Sequence, residues 1–141
     1  MPCAATLEAF VAAVEGGQHA QAIEDFYTEQ ASMRENQAEP RRGRAALVAH
    51  ERAVLARSAS VASQCVRPVL VNGDHVVIRW VFDFTGTDGR RMHLEELAWQ
   101  RWEGERIAEE TFFYDPAQLV PRPGAPPTPR GQCNADMWRK R

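Results

Sequence analysis

The apolar positions along this chain change period once, and the change divides it into two kinds of structure. Up to Arg57 they recur every three or four places. Leu7, Phe10, Val11 and Val14 form a stripe that predicts a helix, with Thr6 as its cap and Gly16 and Gly17 at its end. Ala22, Ile23 and Phe26 predict a second, short helix over residues 19–27. Residues 31–35 read as a short strand that breaks into a loop at Asn36 and Pro40. A third helix is expected from Gly43 to Arg57, carried by Leu47, Val48, Val54 and Leu55. Its stripe has a central gap filled by His50 and Glu51. The helical period aims one or both inward, whereas a wider polar side would leave both in water. For His50 both readings stand; for Glu51 the wet one is the expectation.

From Val61 the period is two. Residues 61–71 predict a strand closed by Asn72 and Gly73, a strong hairpin signal. In residues 75–85, Val76, Ile78, Trp80, Phe82 and Phe84 face one way and Arg79 and Asp83 the other. Strands over residues 90–102 and 106–114 follow, separated by turns at residues 86–89 and 103–105. The expected fold is α+β, helices first and then an antiparallel meander. The last two strands break the simple pattern. Leu94, Glu96, Ala98 and Gln100 share one face, and Ala108, Glu110, Phe112 and Tyr114 share another, so each mixes apolar with polar residues. A polar-lined cavity on the concave side of the sheet explains this, and so does a partner subunit on the convex side. The two are compatible.

Composition narrows the possibilities. The chain has 141 residues, 44% hydrophobic and 26% charged, which suits one domain with a substantial core. No apolar run reaches the roughly 20 residues of a membrane span, and the N-terminus has no signal-peptide pattern. A cytoplasmic protein away from membranes is expected. The net charge of −2 hides an asymmetry: 12 basic and 18 acidic residues precede Pro116, while 5 basic and 1 acidic follow from there. So acidic a body argues against nucleic acid as partner. Cys3, Cys65 and Cys133 fit neither a disulfide framework nor a zinc site, and Cys65 reads as a small buried hydrophobe. Five prolines between Pro121 and Pro129 exclude a helix or central strand there. Residues 1–116 are therefore read as the domain, and residues 117–141 as a Pro-rich, basic and mobile tail.

The candidate chemistry begins with Glu35, at the end of the first strand. It is either a carboxylate drawn to a pocket or a solvated strand end. His93 and Glu95 alternate on one strand without a third ligand at useful spacing, so a wet strand is expected and no metal. Arg41, Arg42 and Arg44 read equally as an anion-attracting mouth or a solvated loop.

The segments IEDFY (residues 23–27), EPRRGR (39–44), GERI (104–107) and FFYDP (112–116), in this order of elements, give a family resemblance. Residues 5–116 resemble the nuclear transport factor 2-like superfamily, within it the SnoaL-like polyketide cyclase and ketosteroid isomerase group. The resemblance implies a cone-shaped half-barrel, with three N-terminal helices packed on a curved antiparallel sheet around an apolar pocket. It implies no cofactor, a small apolar or polycyclic ligand, and a homodimer through the convex sheet face, burying Leu97, Trp99 and Phe113. Glu35 falls where ketosteroid isomerase has its carboxylate base, with His50 or Tyr114 as donor. Phe10 and Ala98 stand where that enzyme has the tyrosine and protonated aspartate of its oxyanion hole. Such a donor is worth about 3–4 kcal/mol, so steroid isomerisation by that route is not expected. The overlay lines the pocket with Phe10, Trp80, Phe82, Glu96, Gln100, Glu110 and Phe112. The implied activity is that of an isomerase, cyclase or dehydratase, and the alternative is a non-catalytic ligand-binding or dimerisation module.

Overall fold

Three helices lie against one face of a six-stranded sheet in the computed structural model, which describes residues 1–120. Helix α1 (Ala4–Glu15) buries Leu7, Phe10, Val11 and Val14, the stripe its sequence predicts. Its cap is Cys3 rather than Thr6. The Cys3 sulfur accepts from the Thr6 backbone N–H at 3.4 Å, placing Thr6 inside the first turn. Helix α2 (His19–Phe26) follows after Gly17, whose φ of +80° suits glycine. Helix α3 (Arg44–Ala56) buries Leu47, Val48, Glu51 and Val54.

Strand β1 (Tyr27–Glu35) is longer than expected and begins at once where α2 ends. Asn36, at φ 50°, turns the chain out of it. The Asn36 backbone N–H donates to the Phe112 carbonyl, and its side-chain oxygen accepts from the Tyr114 N–H. One residue thus ends β1 and holds the far end of the last strand. After the two-residue strand β2 (Arg41–Arg42), the chain passes through α3 into β3 (Ser58–Asn72), β4 (His75–Gly86), β5 (Arg91–Glu103) and β6 (Arg106–Phe113). The β3–β4 hairpin has Gly73 at φ 63° as the first residue of its loop, a position that favours glycine. The expected meander forms, and β1 joins it parallel to β6, giving the order β2-β1-β6-β5-β4-β3.

Sheet parity works as the alternation predicts in β4 and β5. Val76, Ile78, Trp80, Phe82 and Phe84 are buried, as are Met92, Leu94, Glu96, Ala98, Gln100 and Trp102. In β6 a register shift opposite Arg101 and Trp102 adds one residue, so Ile107 and Ala108 are both buried, against simple alternation. Phe10 is the hinge of the packing: its ring meets Phe26 and Trp102 edge-on and lies tilted against Tyr27. A short 3-10 turn (Pro116–Leu119) then returns to β5. There Gln118 bonds both the N–H and the carbonyl of Glu95, and Leu119 is buried. The boundary expected at residue 116 falls at the start of this turn. The tail over residues 121–141 lies outside the described residues.

Candidate functional site

A cavity of about 40 Å³ lies between the helices and the sheet. Phe10, Val14, His19, Ala22, Ile23 and Glu51 form its helix wall, and Tyr27, Met33, Trp80, Phe82, Glu110 and Phe112 its sheet wall. One water needs roughly 10–15 Å³ on this measure, so the space suits a few waters or a small molecule. Its surface is mostly apolar, with two carboxylates facing in from opposite layers.

Glu110 on β6 is 3% exposed and is the most elaborately held group of the sheet wall. The Tyr27 hydroxyl donates to one of its oxygens, and Gln100 Nε2 donates to the other at 2.6 Å. Trp102 Nε1 donates in turn to Gln100 Oε1 at 3.0 Å. An indole N–H can only donate, so it fixes the Gln100 amide with its NH2 toward Glu110. The chain Trp102–Gln100–Glu110–Tyr27 therefore orients the carboxylate through a hydroxyl and an amide.

On the helix wall, Glu51 is 7% exposed, not wet as its charge suggests. The 3.6-residue period sets it in line with Leu47, Val48 and Val54, and His19 gives it a partner. His19 Nδ1 lies 3.4 Å from Glu51 Oε1, and His19 Nε2 lies 2.8 Å from Ser63 Oγ on β3. The Phe82 ring packs edge-on against the imidazole.

A second polar cluster gathers where β1 ends. Glu35 is buried at 8% exposure with Arg41 Nη2 at 3.6 Å. The same nitrogen lies 3.1 Å from His50 Nε2. Arginine can only donate, so His50 Nε2 accepts there. His50 is half-buried, the middle of the two readings its position allowed. Glu96, 3% exposed, pairs across the sheet with Trp80, and half-buried Tyr114 follows directly on β6. Of the arginines expected at the mouth, Arg41 turns to Glu35 and His50, Arg44 donates to the Tyr27 carbonyl at 3.1 Å, and Arg42 is exposed.

The structure thus brings Phe10, Trp80, Phe82, Glu110 and Phe112 together on the cavity. Gln100 stands behind Glu110, and Glu96 lies buried on the same sheet face outside the cavity lining. Glu35 and His50 meet at Arg41, beyond the lining, and Tyr114 also lies outside it. Sequence reasoning missed His19, Tyr27 and Ser63, and it expected Glu51 to be wet where the fold buries it. His19 was readable, because Ala22 and Ile23 stand three and four places after it on the inward side of α2.

The outer face differs. Leu97 is 46%, Trp99 50% and Phe113 37% exposed, with Leu70 and Val71 also open. His93 bridges Asp83 at 2.7 Å and Glu95 at 3.6 Å, and the hydrogen bond it donates to Asp83 raises its pKa above the ordinary 6.5. Cys65 is buried, and burial pushes its thiol up. Among the described residues no helix is long and apolar enough to cross a membrane, and no three potential metal ligands cluster.

Three helices on one face of a six-stranded sheet, with a small cavity between, form the fold shared with a nuclear transport factor 2-like protein from Burkholderia pseudomallei, 15% identical, with a TM-score of 0.70 over 82% of this chain and 92% of its own. The sequence profile of the SnoaL-like domain matches residues 7–110, and the chain belongs to that family. Several solved structures share the fold. A candidate SnoaL-like polyketide cyclase from Mesorhizobium loti is 22% identical, with a TM-score of 0.67 over 81% of this chain and 100% of its own. A ketosteroid isomerase-like protein from Catenulispora acidiphila in complex with trimethylamine is 17% identical, with a TM-score of 0.69 over 82% and 88%. An LEH-like epoxide hydrolase from M. tuberculosis is 12% identical, with a TM-score of 0.63 over 80% and 82%. No curated protein matches.

Proposed function

We propose that this protein binds a small, mostly apolar carbonyl compound in the cavity and moves a proton on it without a cofactor, as an isomerase, cyclase or dehydratase does. One observation carries the reading: Glu110 is a buried carboxylate on an apolar cavity, held by two neutral donors. A hydroxyl and an amide fix the direction in which this carboxylate faces the cavity, where it can take a proton from the carbon beside a carbonyl. The cavity of about 40 Å³ favours a small ligand over a polycyclic one, for which α1 or α3 would have to move outward. The trimethylamine complex of the Catenulispora protein is a small-ligand precedent on this fold. Glu35, with His50 or Tyr114 as donor, is the competing assignment drawn from the family.

The test is deuterium exchange. Small ketones (butanone, cyclopentanone, cyclohex-2-enone) are incubated with the protein in D2O and their α-protons followed by NMR. Exchange above buffer that disappears in Glu110→Gln is the expected result. Exchange lost in Glu35→Gln and kept in Glu110→Gln assigns the base to Glu35 instead. A ligand that binds saturably and never exchanges identifies a non-catalytic binding module, the reading favoured by Phe10 and Ala98 where oxyanion donors would stand. If no compound binds or exchanges, both readings fail.

The outer face supports a homodimer. Leu97 and Phe113 are register partners and Trp99 is the next outward residue on β5, so the three form one apolar patch on neighbouring strands. Trp99→Lys is expected to turn a sedimenting dimer into a monomer; a wild-type monomer at micromolar concentration contradicts the assembly. A cytoplasmic setting suits the free thiols of Cys3 and Cys65.

A further inference from the structure

Beside the cavity lies a set of groups that proton transfer to Glu110 does not use. Ser63 Oγ, His19 Nε2, His19 Nδ1 and Glu51 Oε1 follow one another at 2.8 Å and 3.4 Å across the imidazole. These come from three elements, β3, α2 and α3, that share no local sequence. Glu51 faces Nδ1 and the serine hydroxyl faces Nε2, so the tautomer with its proton on Nδ1 leaves Nε2 to accept from the hydroxyl. A hydroxyl bonded to an imidazole that is itself oriented by a buried carboxylate is the arrangement of an activated nucleophile, whatever the fold. His19 and Glu51 are 6% and 7% exposed, while Ser63 is half-buried on the edge strand. The carboxylate and base are thus shielded and the hydroxyl is reachable.

We propose that Ser63, His19 and Glu51 form an acyl-transfer site for short-chain esters, with the cavity seating the acyl chain. His19, Glu51 and Phe82 line that cavity, and Ser63 pairs with Phe82 in the sheet, so an acyl group bonded to Ser63 has an apolar space beside it. A volume of about 40 Å³ matches chains of a few carbons and excludes long ones. In the reaction, Ser63 Oγ bonds to the ester carbonyl carbon and passes its proton to His19 Nε2. The bond to the alcohol oxygen breaks, and the alcohol leaves with that proton. Water then gives its proton to His19 and its oxygen to the acyl carbon, and Ser63 regains its hydrogen as the acid departs. Cys65 N–H points off the sheet edge to Glu15 at 3.1 Å, and alternation directs the Ser63 N–H the same way, where it is a donor for the developing oxyanion. Cys65 is no rival nucleophile, since burial keeps its thiol protonated.

The site shares the cavity with the proton-transfer reading but does not need Glu110 to act as a base, so each can fail alone. The test treats the full chain with methanesulfonyl fluoride, a small reagent that traps activated serines, and locates the adduct by peptide mass mapping. Expected is one sulfonyl group on Ser63, absent in Ser63→Ala, retained in Ser60→Ala, and formed about 100-fold more slowly in His19→Gln. Thermal melts show which variants are folded, and Glu51→Gln, expected to slow labelling about 10-fold, gives a second route if His19→Gln unfolds. Hydrolysis of p-nitrophenyl acetate and propionate, but not of the decanoate, supports the cavity as the acyl seat. No adduct on Ser63, or labelling equally fast in a folded His19→Gln or Glu51→Gln, overturns the site. Equal turnover of the decanoate overturns the role of the cavity.

Discussion

Two buried glutamates on one face of the sheet, Glu110 and Glu35, are compensated in opposite ways. Glu110 has neutral donors on both oxygens, a tyrosine hydroxyl and a glutamine amide. Glu35 has a guanidinium beside it. A guanidinium beside a carboxylate ties it to the scaffold by charge, while hydroxyl and amide donors tie it by direction. The family pattern points to the first strand for the base, yet the compensation here favours the last strand. On the proposed reading, position in the fold and fitness for proton transfer fall on different strands.

The sharpest way to break this comparison is the pair of glutamine variants. Glu110→Gln is expected to lower carbonyl exchange by about 100-fold, while Glu35→Gln changes it by less than about 3-fold. NMR exchange rates decide, and a reversed order would return the base to Glu35. Next in size is Arg41→Met. It removes the cation beside buried Glu35 and is expected to destabilise the fold by about 2 kcal/mol in urea unfolding, below the 3–5 typical of a fully buried pair because Arg41 is 28% exposed. An unchanged midpoint would show that Glu35 does not depend on that cation. Tyr27→Phe, which removes one donor from Glu110, is expected to cost about 1 kcal/mol and to reduce exchange through misplacement of the carboxylate. If melting falls and exchange holds, Tyr27 is a structural donor only.

The smallest expected effect lies on the outer face and serves as a contrast to the interior. His93 is expected to titrate above 6.5 in an NMR pH series, because the Asp83 hydrogen bond favours its charged form. A raised histidine contributes stability that is fully present below the unfolded value and lost as pH rises through the folded one. The interaction is solvent-screened, so His93→Gln should barely move the unfolding midpoint at pH 8 and lower it slightly at pH 5. Equal midpoint shifts at both pH values would contradict that sign.

Much of this was legible because periodicity is local. Alternation put Glu96 and Gln100 on one face of their strand and Glu110 with Phe112 on one face of the next, and the family resemblance turned those faces inward. The stripe of α1 was read complete. Glu51 was misread because its charge was weighed above its helical position, and the residue that makes its burial tolerable, His19, lies on another helix. Tyr27 was placed at the end of a helix, whereas it opens β1 and donates to a carboxylate 83 positions away. The extra residue in β6 that buries both Ile107 and Ala108 had no local signal, because a bulge is a mismatch between two strands.

By itself the sequence determined the helices, the meander and which residues share a sheet face, since each follows from period, turn residues and side-chain polarity. Only the tertiary structure decided which partner each carboxylate meets. Arginine at Glu35, tyrosine and glutamine at Glu110, and histidine at Glu51 are brought by sheet register and helix packing from elsewhere in the chain. The physical reason is that burial is set by the element a residue stands on, whereas compensation of a buried charge is set by whatever the fold places beside it.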